Sequence, residues 1–131
     1  VYALATAVLF QSGVQHFALA PNNLHDAPDW AIKFMKEVPT VWDEVRFLEG
    51  YPGKYVVLAR RKGAKWYIAG INAQKEPLEL KLKLPMISEG TTLRYYQDDE
   101  LLNGKIMEIK YRSKIGVPIK VPCNGGVLLT N

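Results

Sequence analysis

Five carboxylates fall in two short runs, Asp43-Glu44 and Asp98-Asp99-Glu100, and carboxylates in pairs are what general acid–base chemistry uses. Asp43 and Glu44 stand where a β-rich region begins. Neighbours on a strand point to opposite faces, so this pair cannot converge on one bond. It is expected to serve structure, one member accepting a hydrogen bond or pairing with Arg46. Three acids at 98–100 could hold calcium, but the run lacks the alternating ligands and turn glycine of a known calcium loop, so it reads as a solvated turn. His16 and His25 are the only histidines, and their spacing is wrong for a helical metal pair. His16 is expected to be a hydrogen-bonded core residue, and Cys123 a buried small residue beside the last strand. Neither a Gly-x-Ser-x-Gly elbow nor a Gly-x-x-x-x-Gly-Lys phosphate loop is present.

Aromatic pairs are the other feature with chemical potential. Trp66-Tyr67 and Tyr95-Tyr96 each place one ring on either face of a strand. A ring left exposed in each pair could stack an oligosaccharide, whereas large aromatics in a small β-domain commonly fill the core. The densest basic segment, Arg60-Arg61-Lys62-Gly63-Ala64-Lys65, spans a predicted hairpin tip, where charge keeps an edge soluble. Seventeen basic against 13 acidic residues give only +4, spread along the chain, which is not a nucleic-acid footprint. One cysteine excludes an internal disulfide framework. Polar residues Gln11, Ser12, Gln15 and His16 interrupt the opening apolar run and exclude a membrane span. A chain that opens directly into such a run reads as part of a longer one.

The elements that must carry these residues change character near Pro39. Over residues 2–20 the pattern predicts a helix whose first two turns are apolar nearly all round, hence buried on several sides, with Pro21-Asn22-Asn23 ending it. A second helix is predicted from an Asp26 N-cap, with Trp30, Phe34 and Val38 as its buried stripe and Pro39 stopping it. Beyond Pro39 the period is that of strands. Leu78, Leu80, Leu82 and Leu84 alternate with Glu79, Lys81 and Lys83, while Tyr55–Ala59 and Trp66–Ala69 are continuously apolar, as in central strands. Asn103-Gly104 predicts a two-residue hairpin with positive φ at both positions. Further turns fall at Glu49–Gly53, Ser88–Gly90 and Asn124–Gly126. This rhythm predicts a mainly β fold, an antiparallel Greek-key-like sandwich of about eight strands preceded by two helices.

The run Val38-Pro39-Thr40-Val41-Trp42-Asp43-Glu44-Val45-Arg46 resembles a signature of glycoside hydrolase family 97, at the point where the catalytic barrel gives way to the C-terminal domain. The stretches Gly53–Arg61 and Trp66–Asn72 are similar to the same family, and Phe10–Phe17 resembles its last barrel helix. The similarity is most specific from residue 7 to 72. Val41 and Val45 depart from an expected threonine, and Leu19 from an acidic residue, which leaves the subfamily open. The resemblance implies exo-acting α-glucosidases and α-galactosidases, inverting or retaining, many of them calcium-dependent, with an N-terminal β-supersandwich, a (β/α)₈ barrel and a C-terminal β-sandwich. Their catalytic carboxylates and calcium ligands lie outside this chain's matching motifs, so the fragment is expected to carry no catalytic residue, metal ligand or cofactor of its own. Residues 1–38 are then the helical end of the barrel and its linker, and 39–131 the accessory sandwich. The implied role is packing on the parent's barrel, with self-association as a second task. Sugar binding through Trp66, Tyr67, Tyr95 and Tyr96 is the alternative. The family also implies a periplasmic or secreted location.

Overall fold

In the computed structural model, which describes residues 1–131, three helices precede eight strands. They are α1 (Tyr2–Leu9), α2 (Asn23–Asp26), α3 (Asp29–Glu37), β1 (Glu44–Tyr51), β2 (Tyr55–Lys62), β3 (Lys65–Asn72), β4 (Leu78–Leu82), β5 (Thr92–Asp98), β6 (Gly104–Lys110), β7 (Val117–Val121) and β8 (Gly126–Thr130). All ladders are antiparallel. Six strands form one sheet in the order β1-β2-β3-β8-β5-β6, and β4 pairs with β7 in a second. The mainly β sandwich of eight strands is therefore as the turn rhythm predicted.

Period-two alternation places the cores. On β3, Trp66 and Ile68 face the two-stranded sheet, and Tyr67 and Ala69 face the other way. The first face closes over Leu78, Leu82, Val117, Ile119 and Val121, the alternating residues of β4 and β7. The second closes over Leu4, Val8 and Leu9 of α1 and Ala31 and Phe34 of α3. The molecule thus has three layers: helices, large sheet, small sheet. Because β3 and β8 are covered on both faces, they read as continuous apolar runs, and β8 is buried at all five positions.

Several local expectations are corrected. The first helix stops at Leu9 instead of running to residue 20. Ser12 Oγ both accepts from the Val14 N–H and donates to the Val14 carbonyl, a local competition that draws serine out of helices. The second helix begins at Asp29, not Asp26, and the short α2 precedes it; Phe34 is buried, with Trp30 and Val38 half-buried against the same core. The Asn103-Gly104 hairpin is wider than two residues. The Asp99 carboxylate accepts from the N–H of Leu101 and Asn103, and positive φ falls on Leu102 (60°). Gly104 has another reason to be glycine: a Cβ there would lie 2.7 Å from the Trp30 ring.

Candidate functional site

Two buried charges, Asp98 and Arg60, stand at the two ends of α1 on the helix-bearing face of the large sheet. Helix α1 has no side-chain cap of its own and no charge in its first or last turn, so its unpaired backbone groups must find partners elsewhere. Strands supply them. The Asp98 carboxylate at the end of β5, 4% exposed, accepts from the Val1 nitrogen at 2.6 Å, the Tyr2 N–H at 3.1 Å and the Gly126 N–H at 2.9 Å. At the other end, Arg60 of β2, 2% exposed, donates through Nη2 to the Leu9 carbonyl and through Nη1 to the Phe10 carbonyl, each at 3.3 Å. Gln15 Nε2 closes the Ala7 carbonyl at 2.5 Å. An anion at the N-terminus and a cation at the C-terminus match the helix dipole at both ends.

This explains a buried guanidinium with no carboxylate partner. Desolvation lowers the Arg60 pKa from its ordinary value, yet an arginine keeps its charge in proteins. The negative helix end and the Trp42 ring, 5.7 Å from the guanidinium carbon, compensate for lost water. The basic segment is therefore not only a solubilising tip, because Arg60 turns inward. Arg61 and Lys62 stay at the hairpin and pair with Asp43 at 3.9 and 3.7 Å, and Arg61 also pairs with Glu44 at 3.2 Å.

Close approach completes the seat. A Cβ on Gly126 would lie 2.6 Å from the Tyr2 Cα, so only glycine lets α1 rest directly on β8. Around Phe34, edge contacts run to Tyr67 (6.2 Å) and Tyr96 (5.8 Å), with Trp30 against Tyr96 (5.8 Å) and Trp42 against Tyr67 (5.2 Å).

The four rings named as sugar-stacking candidates do sit one on each face, as alternation required. None is exposed, however: Trp66 is at 7%, Tyr67 at 3%, Tyr95 at 5% and Tyr96 at 4%. Trp66 and Tyr95 fill the inter-sheet core, and Tyr67 and Tyr96 the helix-side core. Arg46 and Arg61 further cover the Trp66 ring, at 5.1 and 5.9 Å. Burial pushes the hydroxyls of Tyr67 and Tyr95 upward in pKa, away from neutral acid–base work.

The carboxylates also serve structure. Asp43 accepts from the Gly63 N–H at 2.8 Å, and that bond, with Lys62 and Arg61, lowers its pKa. Glu44 is lowered by Arg46 and Arg61. Asp43 lies just before β1 and Glu44 opens it, and both carboxylates meet Arg61, at 3.9 and 3.2 Å, so strand alternation does not hold the two apart. Asp98 departs from the expected solvated turn by lying buried under α1, and spacing carries no sign of it because its partners lie 97, 96 and 28 residues away. His16 is exposed, not a core residue, and so is His25; Cys123 is half-buried. No group of three His, Cys, Asp or Glu side chains lies close enough to hold a metal ion, and no helix is long and apolar enough to cross a membrane.

The fold is thus a β-sandwich with one helix-covered face. The chain belongs to the C-terminal domain family of glycoside hydrolase family 97, described as an oligomerisation domain, whose model matches residues 41–130. Over 68 residues, 52% of the chain, it is 44% identical to a retaining α-galactosidase of Bacteroides thetaiotaomicron, covering 10% of that protein. The crystal structure of a β-arabinopyranosidase matches 99% of the chain with a TM-score of 0.93 and 51% identity, over 20% of its own length. A family 97 enzyme from Pseudoalteromonas sp. strain K8, in complex with acarbose, matches 98% with a TM-score of 0.83 and 26% identity, over 22% of its length. The chain thus spans about a tenth to a fifth of these proteins. Its function is that of the C-terminal accessory domain of such enzymes.

Proposed function

We propose that this domain docks through its helix-bearing side on the catalytic barrel of a parent glycosidase that cleaves galacto-configured pyranosides. The observation that carries the docking is the exposed apolar surface of the segment after α1. Phe10 is 59%, Val14 71% and Leu19 40% exposed, beside a helix already seated on the sheet by both ends. Isolated exposed apolar residues need no explanation, but a cluster marks an interface. The substrate class is supported by the relatives' names: the more similar ones are an α-galactosidase and a β-arabinopyranosidase. A β-L-arabinopyranoside has the ring configuration of an α-D-galactoside without its exocyclic carbon, so one subsite shape serves both. Calcium, implied by the family resemblance, is assigned to the parent's catalytic part, and the parent to the periplasm or the exterior.

The test mixes this chain with the remainder of its parent, produced separately. The chain alone is expected to turn over neither aryl α-galactosides nor aryl β-L-arabinopyranosides, and to bind the remainder. Val14→Asp is expected to weaken that binding at least about tenfold, the effect of placing a charge in an apolar contact. Turnover by the chain that survives stringent purification would overturn the non-catalytic role. Binding indifferent to Val14→Asp and Phe10→Asp would overturn the docking side.

A further inference from the structure

Strand β1 forms one edge of the large sheet. Val41 just before it (63%), Val45 (47%) and Phe47 (66%) leave large apolar side chains exposed. Val45 and Phe47 share the face of Arg60 and Leu58, their partners on β2, but lie beyond the cover of α1, which packs mainly on β3 and β8. Edge strands in native proteins are blunted by lysine, proline or bulges. The opposite edge, β6, carries lysines near its start and at its end, Lys105 and Lys110. Strand β1 has neither lysine nor proline; it is blunted only by the charges of Glu44, Arg46 and Glu49 and by the irregularity between Phe47 and Glu49. Pairing with β2 resumes beyond that bulge, from Glu49 to Tyr51, and the bulge bounds Glu44–Phe47 as one regular run.

We infer that this run pairs antiparallel with β1 of a second copy about a two-fold axis at Val45, joining two six-stranded sheets into one. The inference rests on the family's association role and names the surface that performs it. Charge fixes the register. An axis at Val45 sets Glu44 opposite Arg46 of the second copy, twice, whereas an axis at Arg46 would oppose two arginines. Directly opposed residues share a face, so Val45 meets Val45, and Phe47 lies diagonal to Val41 and Val45 of the second copy. The intervening Asp43 is drawn aside to the Gly63 N–H and Lys62. Within one chain Glu44 already lies 2.6 Å from Arg46, so pairing adds cross-chain partners to groups whose charges are balanced. A single patch that complements itself is what a closed two-fold dimer requires.

The test follows sedimentation of the chain across concentrations, with circular dichroism as a check on folding. Glu44→Arg and Arg46→Glu are each expected to weaken dimers about tenfold, because each replaces two opposed pairs by two like-charge pairs. An equimolar mixture of the two variants is expected to regain association as a heterodimer, since every 44–46 contact is again of opposite sign. Phe47→Lys, a change at an exposed site that leaves the fold intact, is expected to dissociate the dimer on its own. If the swaps and Phe47→Lys leave the dimer unchanged, association uses another face and the inference fails while the association role stands. A wild-type chain monomeric at every concentration would overturn both.

Discussion

At the scale of residues, Arg60 and Asp98 carry more of the structure than any side chain singled out for catalysis. Each is a buried charge whose main partners are backbone groups at one end of α1. Arg60→Met keeps the aliphatic bulk but loses both carbonyl bonds and the cation at the helix C-terminus. Urea unfolding is expected to show a loss of about 1–3 kcal/mol; an unchanged midpoint would mean that water replaces the guanidinium at no cost. Composition hid both roles. Arg60 sits in a basic run and Asp98 in an acidic one, and composition assigned both to solvent. Strand alternation did contain the signal for Arg60: it lies two residues after Leu58 on the helix-side face, while Arg61 lies on the other. The same alternation correctly split Trp66 from Tyr67 and Tyr95 from Tyr96. It could not reveal exposure, which depends on a helix layer and a second sheet contributed from elsewhere in the chain.

At the scale of elements, strands were more legible than helices. Strand boundaries follow from alternation and turn glycines, as with Gly63 (φ 57°) and Gly53 (φ 76°). Helix length does not follow from apolarity alone: α1 ends where Arg60 and Gln15 take its last carbonyls, a tertiary event. Two glycines read as turn formers are contact points instead. At Gly126 a Cβ would press on the Tyr2 backbone, which cannot rotate away as a side chain could. Gly126→Ala is therefore expected to lift the start of α1, lower stability by about 1–3 kcal/mol and speed hydrogen exchange of the α1 amides. Exchange unchanged from wild type would show that the helix does not rest on β8.

At the scale of the whole molecule, the exposed carboxylates set the response to acid. The Gly63 N–H holds Asp43 low, Arg46 and Arg61 hold Glu44 low, the Ser113 N–H holds Glu89 low and the Asn103 N–H holds Asp99 low. A carboxyl depressed in the folded state contributes stability above its unfolded pKa and loses it as pH falls through the folded value. The melting temperature is thus expected to stay level down to about pH 5 and to fall below about pH 4, the ordinary carboxylate range. Asp99→Asn is expected to shallow that fall, and an equally steep fall would place the acid response elsewhere. The helices of residues 1–38 complete the second core of the sandwich. The most direct measurement compares urea unfolding of residues 1–131 with that of residues 39–131. Removing the helices uncovers Tyr67, Ala69, Tyr96 and Leu128 and takes from Asp98 and Arg60 their partners at the ends of α1. The shorter chain is expected to unfold at lower urea, with a broader transition and dye binding to exposed apolar surface. Equal midpoints and equal cooperativity would contradict the account, because the sheet would then stand without the layer said to complete it.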